Sequence, residues 1–426
     1  MLKTAKSVLA DSLKPYANPM CAIELQYALH VVDGGQMLHS VVWPKECTYQ
    51  DLINEYVSYV MNSYGHEALV CFDSYSDRTM STKVAEQCRR TTGQNVSPDI
   101  LFELDMQVAC GQHNVLGNHK DKARFISVLM TSLTNAGIEC CQSQADADYL
   151  ICSSAIELAG GCDRPVVLVG KDTDLLVMLI NISYPNLYMQ YARNVIYSIN
   201  SIMEALSQNV RDHLLVAHTI TGCDTVSALY KIGKKTAINV LEQEDWGLLD
   251  LFKRDDATHI QILRAAERFV LKLYNANDES VSLDHYRFVL YMRKMKKMRK
   301  VKSSSFAAFQ LESLPPTSAA MKYHAYRAYF AVQEWLGNSG RLQPTDWGLE
   351  RHDDMLIPVY TDRPVASDSV LRMVSCGCKK GCGQRCSCRK AGLDCSAMCS
   401  SCIGQNCTNA CQPDGNDSDS TGDSEE

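Results

Sequence analysis

Three short apolar runs in the first half of the chain each stop at an aspartate, and that shared ending limits the fold more than any other feature. Leu29-His30-Val31-Val32 ends at Asp33, and Ala68-Leu69-Val70-Cys71-Phe72 ends at Asp73. Val166-Val167-Leu168-Val169 ends just before Asp172. Continuous apolar runs of this length suit strands covered on both faces, as in a parallel sheet. Helical spacing fills the intervals, with Leu52, Tyr56 and Tyr59 on one face and Phe125, Leu129 and Leu133 on another. Strands alternating with helices over residues 28–241 predict an α/β layered domain with a central, mostly parallel sheet.

In an open parallel sheet, sites form beyond the carboxyl ends of the strands. Asp33, Asp73 and Asp172 belong at that edge. Asp174 follows in Gly170-Lys171-Asp172-Thr173-Asp174, Asp146 and Asp148 open a helix over 147–159, and Asp224 closes Thr219-Ile220-Thr221-Gly222-Cys223-Asp224. Seven carboxylates in one place raise one another's pKa and destabilise the site unless cations are present. Hard divalent ions relieve this, since Mg²⁺ prefers oxygen ligands. Two such ions about 4 Å apart can activate a water and stabilise the leaving oxygen of a phosphodiester. Taken singly, an aspartate after a strand is an ordinary helix N-cap or turn residue. The ordered set is the stronger signal.

That ordered set resembles the PIN-like nucleases, and most closely their flap endonuclease branch of structure-specific 5′-nucleases. The likeness is carried by Val31-Val32-Asp33-Gly34-Gly35, Cys71-Phe72-Asp73, the Asp146/Asp148 and Asp172/Asp174 pairs, and Gly222-Cys223-Asp224. It spans residues 28–241 and implies a PIN-like fold whose seven aspartates are catalytic ligands of two Mg²⁺ ions. The helix-borne pair is Asp where the family usually has Glu, and the family's Gly-Ile-x-Gly-Leu start is missing from residues 1–27, read as an N-terminal extension. The resemblance further implies that Lys83, Arg89 and Arg90 steer the scissile phosphate; a solvated basic face is the plainer alternative. Tyr230-Lys231-Ile232-Gly233-Lys234-Lys235-Thr236-Ala237 is similar to the family's helix-turn-helix clamp, with Gly233, Lys234 and Lys235 on the nucleic-acid backbone. Lys231 stands where the first turn glycine is expected.

The second half changes character. Helical spacing covers 260–274, 283–302 and 322–336, forming a helical extension over 242–340. Tyr323, Tyr326 and Phe330 make an aromatic stripe that belongs to a core. Residues 291–302 carry seven basic groups with Met292, Met295 and Met298 between them. Such a helix suits a phosphate backbone, a nuclear-import signal or an exposed linker. Pro344, Pro358 and Pro364 mark 341–370 as a linker, and the acidic residues 412–426 as a disordered tail. His213 and His218 have no ligand partner at a useful spacing and read as structural.

Ten of the twenty cysteines fall between Cys376 and Cys411, within a module over 371–411. Adjacent C-x-C pairs seldom bridge, so a reduced, intracellular chain with a metal module explains them better than disulfides. Cys376, Cys378, Cys382, Cys386, Cys388, Cys395, Cys399, Cys402 and Cys407 can hold about three Zn²⁺ if three of the nine thiolates bridge. Lys379, Lys380, Arg385, Arg389 and Lys390 offset the remaining negative charge. The spacing resembles the CXC (tesmin/TSO1-like) zinc-cluster domain, which implies DNA or chromatin as partner. Arg385 stands where DNA-reading members carry Tyr, and a purely structural zinc knot is the alternative. The whole pairing is similar to a transposon-associated group of animal proteins.

The longest unbroken run of Leu, Val, Met and Ile is Leu175 to Ile180, far short of the roughly 20 residues of a spanning helix. The formal charge of −7 excludes a generic polycation. The expected function is therefore a Mg²⁺-dependent nuclease on nucleic acid, DNA first, delivered in the nucleus by a zinc module. A non-catalytic DNA- or chromatin-binding protein of mobile-element origin and a PIN-type ribonuclease are the rivals. The oligomeric state is left open.

Overall fold

The strand predictions place three runs in one sheet, and the sheet contains them at its centre. The computed structural model describes residues 6–16, 27–74, 99–143, 147–182, 184–192, 195–277, 281–300, 311–352, 355–363, 378, 382–390, 395 and 407–409. The chain divides into two units, Met1–Tyr360 and Thr361–Glu426.

The first unit is mixed α/β. Its strands are β1 (Leu29–Asp33), β2 (Leu69–Phe72), β3 (Glu139–Gln142), β4 (Val166–Val169), β5 (Leu187–Ala192) and β6 (Val195–Ser198). They form one sheet in the order β3-β2-β1-β4-β5-β6. Every pair is parallel except β5 with β6. Alternation along the central strands supplies two cores. Val31, Val166 and Leu168 face one, while Val32, Val70, Val167 and Val169 face the other.

Helices α3 (Tyr49–Tyr64) and α5 (His119–Asn135) cover the second face with Leu52, Tyr56, Phe125 and Leu129. A capping box at Thr48 and Asp51 starts α3, and the Asn118 side chain starts α5. Helices α6 (Asp148–Gly161), α7 (Thr173–Asn181) and α9 (Gln208–Ile220) contribute to the first core. The intervening short helices are α1 (Ser7–Leu13), α2 (Gly34–Ser40), α4 (Gln112–Gly117) and α8 (Ile199–Ala205).

The helices expected after residue 241 are present as α11 (His259–Leu273), α12 (Leu283–Lys300) and α13 (Ser318–Trp335), after α10 (Lys234–Leu241). They are not a detached extension. Phe269, Tyr329 and Trp335 belong to the same buried cluster as Leu168 and Leu214. Tyr326 and Phe330 are buried, so the aromatic stripe is core. The linker expected over 341–370 is corrected in part. Residues 349–352 and 355–358 pair as an antiparallel hairpin, β7 with β8. Trp347 stacks on His259 at 4.2 Å, and Leu349 and Leu356 are buried. Of the prolines expected to mark a linker, Pro344 opens a short turn before Trp347, Pro358 is the last residue of β8 opposite Leu349, and Pro364 lies outside the described residues. Among the described residues, no helix is long and apolar enough to cross a membrane.

Candidate metal centre

The strand order reverses at β1, since β2 leads off to one side and β4 to the other. A crevice opens at such a switch point, beyond the carboxyl ends of the strands. Asp33 is the last residue of β1, Asp73 follows β2, and Asp172 lies beyond β4. Asp33 Oδ1 accepts from the Gln36 amide at 3.1 Å and caps α2; Asp172 Oδ1 accepts from the Asp174 amide at 3.0 Å and caps α7. Both carboxylates thus cap a helix while standing at the carboxyl edge of the sheet. Asp73 Oδ1 accepts from the Ala147 amide at 2.9 Å, which ties the start of α6, with the buried Asp148, to the same edge.

Two adjacent glycines shape this end of the sheet. A Cβ on Gly34 would lie 2.4 Å from Phe72 Cδ1 and 2.8 Å from the Cys71 carbonyl, so only glycine lets α2 leave β1 this close to β2. A Cβ on Gly35 would lie 3.2 Å from Asp33 Oδ1 and 3.7 Å from Asp73 Oδ2. Glycine there leaves open the space over both carboxylates.

Asp172, Asp174 and Asp224 each bring an oxygen within 4.8 Å of the others. Asp224 is delivered by a tight loop after α9. Gly222 has φ +109°, and a Cβ on it would lie 2.7 Å from Ala228 Cα. The Cys223 amide donates to the Val226 carbonyl at 3.0 Å. Into this trio projects Lys6, from the start of α1. Its Nζ lies 2.6 Å from Asp174 Oδ2, 2.7 Å from Asp224 Oδ1 and 3.3 Å from Asp172 Oδ1. His218 closes the back, with Nε2 2.7 Å from Asp174 Oδ1.

The electrostatics follow from burial and these partners. Burial pushes the Asp33 carboxyl up to about 6, and the charges of Asp73 and Asp172 add to the shift. Burial would also raise Asp174, but Lys6 and His218 outweigh it and hold this carboxyl well below the usual range. Burial pulls the His218 imidazole down to about 4, so at neutral pH it is uncharged and donates Nε2–H to Asp174. Burial lowers the Lys122 ammonium on α5, while the charges of Asp73 and Asp33 work the other way.

The sequence-predicted residues sort as follows. Asp33, Asp73, Asp172, Asp174 and Asp224 occupy the carboxyl edge, and Asp148 opens α6 beside Ala147. Asp146, Lys83, Arg89 and Arg90 lie outside the described residues. Gly233 is the N-cap of α10, and both Gly233 and Lys235 are exposed. The expected phosphate contact at Lys234 is corrected. Its side chain is turned inward and 2% exposed, and its ammonium donates to the His218 and Gly222 carbonyls and to Thr221 Oγ1. Lys231 adopts φ +59°, in the left-handed region that favours glycine. Sequence reasoning missed Lys6 and Lys122 and gave His218 only a structural role. No local signal marks Lys6, which is 166 residues from Asp172.

The second unit is held by sulfur. Cys378, Cys382 and Cys386 place their Sγ atoms within 4.8 Å of one another, as do Cys382, Cys395 and Cys407. Cys382 belongs to both sets and lies 3.6 Å from the Cys395 Sγ. Cys382, Cys386, Cys388 and Cys395 are themselves the buried cluster of this unit among the described residues. The Cys386 amide donates to the Gly383 carbonyl at 3.0 Å, leading into α14 (Ser387–Lys390), and the Cys395 amide donates to the Asn409 carbonyl at 2.6 Å. Arg385 and Arg389 are exposed. Cys376, Cys399, Cys402, Lys379 and Lys380 lie outside the described residues.

No protein-family model matches the chain, and no curated protein sequence matches it either. The structure is similar to solved structures of two proteins. One is the catalytic core of Rad2 in complex with DNA substrate, at 12% identity and TM-score 0.38, covering 77% of this chain and 93% of that one. The other is the T5 D15 protein co-crystallised with metal ions, at 15% identity and TM-score 0.37, covering 65% of this chain and 100% of that one. A bacteriophage T5 D15 flap endonuclease complex with DNA and metal ions is similar at 14% identity and TM-score 0.36, with 64% and 98% covered.

The donor chemistry suits cations at both centres. At the sheet edge all donors are carboxylate oxygens, the open space at Gly35 lies over two of them, and the other trio already receives an ammonium. That is a hard-ion set. In the second unit all donors are thiol sulfurs, which suit Zn²⁺.

Proposed function

We propose that the chain is a metal-dependent nuclease that hydrolyses phosphodiester bonds in DNA, with a zinc-cluster module that binds DNA or chromatin. The observation that supports this reading is the gathering of Asp33, Asp73, Asp172, Asp174 and Asp224 at one switch point of a parallel sheet. Single aspartates cap helices; five from separate strands, a helix and a loop do not converge for capping alone.

Asp33 and Asp73 would hold Mg²⁺ beneath Gly35, with Asp172 beside them and Asp146 and Asp148 completing the set. Bound there, the ion would supply Lewis-acid stabilisation of charge developing on the phosphate, and a second ion would complete the two-metal arrangement. The chain itself does the rest. Burial and the charges of Asp73 and Asp172 disfavour the ionised Asp33 carboxylate, and a bound divalent ion would offset that cost. Lys122, partly buried toward Asp33 and Asp73, offsets their charge and attracts phosphate. Gly233 and Lys235 at the start of α10 offer an amide and an ammonium to the backbone of the nucleic acid, and Lys83, Arg89 and Arg90 take the steering role. In the second unit Cys382, shared between two thiolate sets, would bridge two of about three Zn²⁺ ions. Exposed Arg385 and Arg389 would face phosphate.

The test is incubation of purified protein with labelled flap DNA, single-stranded DNA and RNA, with Mg²⁺ and with chelator. Mg²⁺-dependent cleavage of DNA is expected. Asp172→Asn should abolish it while leaving fold and DNA affinity in place, because Asn still caps α7 but removes a ligand charge. A wild-type protein that cuts none of the three substrates, or an Asp172→Asn protein as active as wild type, would overturn the reading.

A further inference from the structure

Lys6 is out of place as a surface lysine. It sits at the N-terminal end of α1, where the helix dipole disfavours a cation, and the first turn of α1 carries no acid. It is nonetheless directed into three carboxylates from α7, the residue before it and the loop after α9. An ammonium has three hydrogens and no lone pair, and Lys6 finds an acceptor on each of Asp172, Asp174 and Asp224. The helix that carries it is anchored independently. Leu9, Ala10 and Leu13 are 1%, 2% and 1% exposed within the first core, and the Lys6 carbonyl accepts from the Leu9 amide at 2.9 Å. Lys14, at the other end, lies 5.2 Å over the Tyr191 ring.

We propose that the Lys6 ammonium is the resident cation of the Asp172/Asp174/Asp224 pocket, and that a divalent ion enters there only by displacing it. This rests on the reading of the acidic edge as a divalent-metal site. The two occupants exclude each other by geometry. Mg²⁺ binds carboxylate oxygen at about 2.0–2.1 Å, so an ion shared by Asp174 and Asp224 would lie on the volume Lys6 Nζ now fills at 2.6 and 2.7 Å from them. The space over Asp33 and Asp73 is separate from this contact and is left open by Gly35. With Lys6 seated, the edge carries one cation from the protein and accepts one fewer from solution. N-terminal sequence far from every acidic motif thereby controls ion occupancy.

The experiment counts ions rather than products. Mn²⁺ is titrated into the full chain, with its thiolate unit loaded with zinc, and free Mn²⁺ is read by electron paramagnetic resonance. Lys6→Ala is expected to bind one more Mn²⁺ than wild type, or to bind the weaker ion at least 10-fold tighter, while Lys6→Arg behaves as wild type. Equal counts and equal affinities for wild type and Lys6→Ala would overturn the proposal. A second measurement needs no variant. An amine-reactive reagent is applied to the wild-type chain across the Mn²⁺ titration, and labelling of Lys6 is read by peptide mass spectrometry. Labelling should rise several-fold at saturating Mn²⁺; unchanged labelling would overturn the proposal. A chain that shows the ion difference yet cuts no nucleic acid would overturn the nuclease reading alone, and a chain that cuts with equal ion counts would overturn this one alone.

Discussion

The neighbouring glycines after Asp33 should respond to the same substitution in opposite ways. Both lie in the first turn of α2, where alanine is favoured over glycine by about 1 kcal/mol. At Gly35 the added methyl meets no backbone; its nearest neighbours are Asp33 Oδ1 at 3.2 Å and Asp73 Oδ2 at 3.7 Å. Gly35→Ala should therefore keep or slightly raise stability. It should weaken Mn²⁺ binding by about tenfold or more, because an ion about 2.1 Å from those oxygens competes with the methyl for space. At Gly34 the methyl would lie 2.4 Å from the ring of Phe72, which is fully buried, and 2.8 Å from the Cys71 carbonyl. Neither can move without shifting β2. Overpacking of this kind costs about 1–3 kcal/mol, and a backbone contact puts it at the upper end. Subtracting the helix gain leaves a loss of about 2 kcal/mol for Gly34→Ala. With a urea slope of about 3 kcal/mol per molar, the midpoint should fall by about 0.7 M. The assays are urea unfolding by circular dichroism and Mn²⁺ titration, on both variants. If Gly35→Ala destabilised the fold and left Mn²⁺ affinity untouched, the placement of the ion over Asp33 and Asp73 would be wrong. If Gly34→Ala matched wild type in both, so would the packing of α2 against β2.

Burial pulls His30 and His324 down to about 4, and His324 donates Nε2–H to the Ile220 carbonyl at 2.7 Å. The unfolded chain then binds more protons than the folded one between pH 6.5 and about 4, so stability is lost as pH falls through that window, by up to about 3 kcal/mol per residue. Urea midpoints measured from pH 7 to pH 4 should show this fall, and His324→Gln should flatten it; an unchanged slope would count against a buried neutral His324. Lys231→Gly should raise stability by about 1 kcal/mol, since a non-glycine residue at φ +59° is strained, and a lowered thermal midpoint would show that Lys231 gains more from its contacts than it loses in its backbone. Native mass spectrometry of the reduced full chain should find about three Zn²⁺; two would favour separate four-cysteine sites, and one or none would reject a shared-thiolate cluster. Chelator or acid should unfold the thiolate unit while the α/β unit keeps its circular dichroism, because the described core of the former is cysteine.

Strands buried on both faces announce themselves, because every position must be apolar. That is why Leu29 to Val32, Ala68 to Phe72 and Val166 to Val169 were legible, and with them the edge where Asp33, Asp73 and Asp172 stand. The strand Glu139-Cys140-Cys141-Gln142, at the edge of the sheet among the described residues, has no such run, since its two ends are exposed and its middle only half-buried, and it reads as no strand at all. The cysteine spacing was legible for a different reason: thiolate geometry constrains short sequence intervals directly.

Local pattern also reports which residues share an element, though not which way a long side chain turns once the element is packed. Lys234 and Lys235 are adjacent and chemically alike, yet one is buried on carbonyls and the other exposed, because α10 packs one face against the core that holds Ala237 and Val240. The same limit hid the pairing of 349–352 with 355–358 and the preceding Trp347, which finds His259 only after the helices have assembled. It hid Lys6 most completely. The sequence by itself determined that acidic groups would gather at the carboxyl ends of parallel strands. Only the tertiary structure decided that a lysine from the far end of the chain would lie among them, because that contact is set by how Leu9 and Leu13 seat α1 on the core.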